Sequence, residues 1–379
     1  MLPTTQAPKR PYDRIIEDLN SSKGSKKRRA SQYTRTPLEA LRHEGRWIPR
    51  ALGPFVPVHA VVGLGAAQEN GHNGDALYAH LTPKERQEYL KLYDPLLSII
   101  SGVKRDMAQY REDPESFARV LDMMTGASNQ GRTDDIGTIK ERVLCWISFV
   151  PGFPPILADT VKIQRGLKSV HCARMLCPVN LLPEFDVDQA AFMAKYEEGR
   201  MDLTADDFPA FLWDATHLDP DNLEAGLLRS QVMLKAARAI YTGPDSAKSP
   251  LPGYDGGKRP PLIIVYRAKL PVQKFTPEMV AYVAVLVRFS LSSQNTWSGR
   301  EGTFCYEAFF KNIVDLFKNQ DREWCKETLQ WYQLWIFNRP NAPTFAPICD
   351  LLPKAPQEGS SRALLLGQLA QEGDGEPEV

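Results

Sequence analysis

Four residues in this chain have the types and spacing to do chemistry together: Asp214, His217, Arg229 and Arg288. Asp214 and His217 lie three residues apart, with Asp219 close behind. On a helix that spacing sets a carboxylate beside an imidazole, the pairing a general base uses. Asp219-Pro220 is itself a helix-start signal, so all three are expected in the turn before a helix, where capping explains Asp219. No nucleophile matched to the pair is visible. Arg229 and Arg288 each interrupt an apolar helical run. A buried guanidinium demands a carboxylate or carbonyl partner, and Asp214, Asp219, Glu278 and Glu307 are the candidates. The two arginines are read as an internal clamp between helices or, more sharply, as the wall of a cleft that holds an anion.

A second group is basic. Lys9-Arg10, a gap, then Lys26-Lys27-Arg28-Arg29 has the layout of a two-part nuclear import signal, an extended chain presenting cations to an acidic carrier. The same cluster can grip nucleic-acid phosphates, with a steep salt dependence, or simply solubilise a tail. Phosphorylation of Ser31, just beyond it, would weaken the charge.

Weaker patterns carry less. His171-Cys172 with Cys177 lacks the second ligand pair a structural zinc site needs, so buried thiols are the expectation. Gly63-Leu64-Gly65 lacks the third glycine and the βαβ context of a dinucleotide loop. No phosphate loop, nucleophile elbow or His-Glu-x-x-His pattern occurs. No residue is assigned to catalysis, to a metal or to a cofactor.

The elements that must position these residues are helices. Thr82-Pro83-Lys84-Glu85 is a capping box with proline at the first helical position. Asp113-Pro114-Glu115 repeats the signal, with a stop expected at Gly126 and a third helix opening at Thr138. Asp219-Pro220 is read as the start of a helix carrying Leu227 to Tyr241. Thr276-Pro277-Glu278 opens a helix apolar nearly all round, which belongs in the middle of a fold. Tyr306 to Phe317 is an amphipathic stripe, and Trp324, Trp331 and Trp335 end the fold on an aromatic helix. Residues 242–275 differ: Pro, Gly and Lys lead into the strand-like Leu262-Ile263-Ile264-Val265-Tyr266, read as a loop or small hairpin with Phe55–Val58 or Val170–Leu176 as pairing candidates.

The prediction is therefore a mainly α, single multi-helix domain over residues 45–350, with the insertion at 242–275. A disordered basic tail (1–44), with a helical turn or two at most over Tyr12–Leu19, and a flexible acidic tail (351–379), with a transient helix over Arg362–Ala370, flank it. The 46 Lys and Arg balance 46 Asp and Glu, but residues 1–50 hold 12 basic against 5 acidic side chains. Attraction for polyanions is thus concentrated in the N-terminal segment. Six scattered cysteines, no secretory leader and no apolar run near the roughly 20 residues of a membrane span lead to the expectation of an intracellular protein away from membranes.

Several blocks resemble a large family of uncharacterised proteins from mushroom-forming fungi, grouped as a domain of unknown function. They are Arg174-Met175-Leu176-Cys177-Pro178; Phe208-Pro209-Ala210-Phe211-Leu212-Trp213 running on to Gly226-Leu227-Leu228-Arg229-Ser230; Tyr282-Val283-Ala284 with Val287-Arg288-Phe289-Ser290-Leu291-Ser292-Ser293; and Phe309-Phe310 through Asp315-Leu316-Phe317 to Trp331 and Ile336-Phe337. The resemblance spans roughly residues 80–340. It implies one domain and no particular activity.

Taken together, these readings favour a non-enzymatic protein that binds a protein partner in the nucleus, with nucleic-acid contact through its basic tail. The rival is an enzyme with a site near Asp214, His217, Arg229 and Arg288. A third reading is a scaffold that self-associates through Trp324, Trp331 and Trp335.

Overall fold

The computed structural model describes residues 9–21, 36–71, 78–248, 274–319, 321–337 and 354–373. Lys26, Lys27, Arg28, Arg29, Ser31 and the strand-like run 262–266 lie outside them. The chain is mainly α-helical, as the periodicities predict. Its residues group into two compact units, Met1–Arg132 and Thr133–Val379.

The first unit holds α1 (Pro11–Ser21), α2 (Pro37–Leu52), α3 (Val58–Glu69), α4 (Pro83–Ile99), α5 (Ser101–Arg105) and α6 (Met107–Glu112). It also takes the part of α7 (Pro114–Lys140) up to Arg132. The boundary at residue 45 needs correcting. Thr36-Pro37-Leu38-Glu39 is the same capping box that opens α4: the Thr36 hydroxyl accepts from the Glu39 amide and the Glu39 carboxylate from the Thr36 amide. Leu38 and Leu41 are buried. Even α1, assigned to the disordered tail, buries Ile15 and lays Tyr12 edge-on to Tyr110 at 5.1 Å. A few apolar contacts of this kind offset the ordering entropy that charge-rich composition alone suggests is prohibitive. In α3, Gly65 faces a ring rather than a phosphate, since a Cβ there would lie 2.1 Å from Cγ of Tyr93.

Helix α7 corrects another boundary. It runs unbroken for 27 residues, through Gly126 and Thr138, to Lys140. Gly131 explains one glycine in its path: a Cβ there would meet the Arg46 carbonyl oxygen at 2.5 Å. The third helix expected at Thr138 is instead a short 3-10 turn, Val143–Cys145.

In the second unit follow α8 (Val170–Leu176), α9 (Leu182–Val187), α10 (Gln189–Glu197), α11 (Gln231–Tyr241), α12 (Pro277–Leu291), α13 (Tyr306–Asp315), α14 (Glu323–Phe337) and α15 (Ser361–Gly373). Helix α12 is the centre: every residue from Pro277 to Leu291 is buried. Its Thr276 hydroxyl accepts from the Met279 amide, and its Tyr282 hydroxyl donates to Asp135 at 2.8 Å. The helix expected after Asp219-Pro220 starts later. Residues 219–229 are turns, and Ser230 caps α11 through the Met233 amide. Val170–Leu176, a candidate strand, is α8; Phe55–Val58 forms no strand. The strands among the described residues are β1 (Arg300–Glu301) and β2 (Phe304–Cys305), an antiparallel pair with Arg300 opposite Cys305.

Residues 354–373 are the largest departure from the expected flexible tail. Arg362 is 2% exposed and bridges Asp206 at 2.9 Å and Asp315 at 3.3 Å. Asp206 also accepts from the Gln357 amide and the Asn312 side chain, and Leu365 is fully buried. Here α15 is part of the unit.

Candidate functional site

The four residues singled out for chemistry do not form one site. Asp214 and His217 do meet, at 3.2 Å, on an exposed turn. Asp214 also accepts from the Thr216 amide and hydroxyl. These bonds and the neighbouring imidazole hold its carboxyl below the usual range against the opposing effect of partial burial. Arg229 turns to α14, donating to the Thr328 hydroxyl and to Glu327 at 3.1 Å. Arg288 is buried on α12, pairs with Glu301 at 2.8 Å and lies 3.8 Å over the Phe304 ring. Both arginines have carboxylate partners, Glu327 and Glu301, neither of them among the candidates; Arg229 lies in the turn before α11 and is half-buried, not inside a helical run, and Glu301 belongs to β1. Each group has its own local partners.

The remaining sequence candidates are also placed. Lys9 and Arg10 are exposed at the start of α1, Lys9 against Glu17 and Arg10 against Asp13. Such surface pairs are worth little and leave both cations accessible. His171 is buried and works as a structural clamp. Its Nδ1 accepts from the Val150 amide at 2.9 Å and its Nε2 donates to the Pro154 carbonyl at 2.7 Å. Cys172 and Cys177 are buried free thiols. Burial raises both pKa values, away from the thiolate a metal or a nucleophile needs. Trp324 packs on Phe317 at 5.1 Å, while Trp331 and Trp335 contact each other at 6.2 Å. Among the described residues there is no group of three or more His, Cys, Asp or Glu able to hold a metal, and no helix long and apolar enough to cross a membrane.

A different region stands out, and sequence reading missed it. Between the 3-10 turn at Val143–Cys145 and that at Lys162–Gln164, the chain exposes Phe149, Phe153, Leu157, Val161 and Ile163, each between 42 and 67%. Large apolar side chains concentrated this way on one segment are uncommon on a free surface and mark contact sites. The local cause is in the sequence. Pro151, Gly152, Pro154 and Pro155 interrupt the apolar run, remove backbone donors and prevent helix or ladder. The segment is nevertheless pinned at both ends. His171 holds Val150 and Pro154, and the Phe149 ring lies edge-on to the imidazole at 5.3 Å.

At the other end two buried cations fix it. Lys162 Nζ donates to the carbonyl oxygens of Ser292 (3.1 Å) and Gln294 and to the Ser292 hydroxyl, and lies 3.8 Å over the Phe289 ring. Burial draws its pKa down to about 7, whereas three acceptors favour the ammonium, the form with three N–H donors. Arg165 donates to the carbonyls of Thr160, Lys140 (2.9 Å) and Ser290 (3.1 Å). Lys140 ends α7 and Ser290 lies in the last turn of α12, so one guanidinium caps two helix C-termini, where carbonyls lack amide partners. Lys140, Lys162 and Arg165 line an open cleft of about 620 Å³ together with Glu141, Thr160, Val161 and Asn295. Val161 belongs to both the cleft and the exposed apolar segment.

Residues 126–337 match DUF6698, a family of unknown function. The chain belongs to this family. The matched region contains the apolar segment, the cleft and the central helix α12, and excludes α1 to α6 and α15. No curated protein and no solved structure matches the chain.

Proposed function

We propose that this protein is a non-enzymatic docking module and that the segment 149–163 is its working surface for a protein partner. The observation that carries the reading is the concentration of five exposed large apolar side chains on one segment held in place by His171, Lys162 and Arg165. A pinned surface of this kind resembles the hydrophobic core of an interface, which gains affinity by being ordered beforehand. The local pairing of Asp214, His217, Arg229 and Arg288 favours docking over the enzymatic alternative.

The test is to co-purify the tagged chain and the variant Phe153→Ser, Leu157→Ser, Ile163→Ser from the native cell. Any partner identified is then remixed, purified, with both forms. The reading expects a one-to-one complex with the natural chain and at least about a tenfold loss with the variant, roughly 1.4 kcal/mol. Equal binding by a correctly folded variant overturns it.

We further propose nuclear residence, supported by the basic run Lys26-Lys27-Arg28-Arg29 with Lys9 and Arg10. A fluorescent fusion should lose nuclear signal when the four consecutive cations become alanine. Cytoplasmic signal from the unaltered chain removes the proposal.

A further inference from the structure

We infer that the partner segment seated on 149–163 sets an acidic side chain beside bulky apolar ones, with the carboxylate received in the cleft at Lys140, Lys162 and Arg165. This rests on the docking reading above and adds the chemistry of the occupant.

Lys162 and Arg165 are nearly inaccessible, and the hydrogen bonds that hold them go to carbonyls and a hydroxyl. The bland explanation is that they only cap α7 and α12. A helix C-terminus carries about half a negative charge, so two helix ends offset about one of the two cations. The carboxylate whose charge acts on Lys162, Glu301, is already engaged by Arg288 at 2.8 Å and by the Tyr306 hydroxyl. On the rim, Lys140 faces outward and raises the local positive potential felt by Lys162, while Glu141 pairs with Arg142 at 3.1 Å. Asp159 also lines the cleft, and its charge is set against that of Lys140 in the balance. The cleft thus retains a positive surplus of at most about one charge, reached when Lys162 is an ammonium, in surroundings where water screens it incompletely.

The donors fit one carboxylate. Lys162 has spent its three N–H groups, so it supplies field rather than contact. The Lys140 ammonium, the Thr160 hydroxyl and the Asn295 amide are donors that line the cleft and suit an incoming anion. Val161 lines the cleft, and the exposed Phe153, Leu157 and Ile163 belong to the same segment of chain. A peptide with an acidic residue flanked by Leu, Ile or aromatic residues is complementary to both features at once. A surplus of at most about one charge is far short of what a polynucleotide recruits, since such binding neutralises several phosphates.

The experiment is a selection of random displayed peptides on the immobilised full chain, followed by affinity measurement of the selected synthetic peptides by fluorescence anisotropy. The expected peptides place Asp or Glu next to bulky apolar residues. Their affinity should fall about tenfold or more in Lys140→Glu, an exposed position, and stay near the natural value in Lys140→Arg. Leu157→Asp should abolish binding. Peptides with no acidic enrichment, or unmoved by Lys140→Glu yet lost in Leu157→Asp, overturn the acidic partner and leave the docking surface standing. Peptides indifferent to both substitutions overturn both. Sedimentation with phosphatidylserine vesicles without any peptide selected assigns the surface to a membrane and overturns the peptide.

Discussion

Replacing Arg362 by alanine tests the most consequential contact outside the matched family region. Arg362 is 2% exposed; its guanidinium joins Asp206 on one side and Asp315 on the other and donates to the Lys354 carbonyl at 3.0 Å. Removing one partner from a buried ion pair costs about 3–5 kcal/mol, because the charges left behind are desolvated and unpaired. The two carboxylates keep 18 and 16% exposure, Asp206 retains the Asn312 and Gln357 donors, and Asp315 retains Lys318. Solvent and these donors soften the loss, so the expected cost is about 2–4 kcal/mol. Urea denaturation reads it directly, and hydrogen exchange locates it. If α15 lifts off first, the Leu223 amide, which donates to the Gln368 side chain at 2.8 Å, loses protection before α12 does. Arg362→Lys should recover only part, since one ammonium does not span both carboxylates as a planar guanidinium does. A stability within about 0.5 kcal/mol of the natural chain, the level of an ordinary surface substitution, would refute the claim that α15 is an integral part of the unit.

Two further outcomes follow from other contacts. Burial depresses the Lys162 pKa to about 7 from its ordinary 10.5, so above pH 7 the unfolded chain binds more protons than the folded one. Stability contributed by this group is flat below pH 7 and rises between about pH 7 and 10, with a slope of at most about 1.4 kcal/mol per pH unit. Lys162→Met should lack that rise in chemical denaturation series, and parallel curves for the two proteins would show the ammonium is not desolvated. Within α7, Gly126→Ala meets nothing within 4 Å and should gain up to about 1 kcal/mol of helix propensity. Gly131→Ala drives a methyl to 2.5 Å from the Arg46 carbonyl oxygen and should fall at least about 2 kcal/mol below it in thermal unfolding.

How far these features were legible in sequence depends on the range over which each is decided. The cap at Thr82 and the all-round apolar α12 are local statements, readable from a few consecutive residues. The same local rule would have found α2 at Thr36-Pro37-Leu38-Glu39 had the charge-rich composition nearby not been given more weight. The run through Gly126 was not legible, because whether a glycine ends a helix or lets a neighbour approach depends on residues far away in the chain. Arg362 and Asp206 are 156 positions apart, and nothing near Arg362 announces that it is buried. For the candidate site, the apolar residues of 149–163 were visible, and their interruption by three prolines was the available sign that they could not enter a helix or a ladder. Their exposure was not visible, nor was the pairing of Lys162 and Arg165 with carbonyls 125 to 132 residues away.

The capping of two helices by one guanidinium has a mechanical side. Arg165 ties the end of α7 to the last turn of α12, and Lys162 grips the carbonyls just beyond. A displacement of 149–163 must therefore break hydrogen bonds to the ends of two helices. Such a mount makes 149–163 a surface loop anchored in helix ends instead of in other loops.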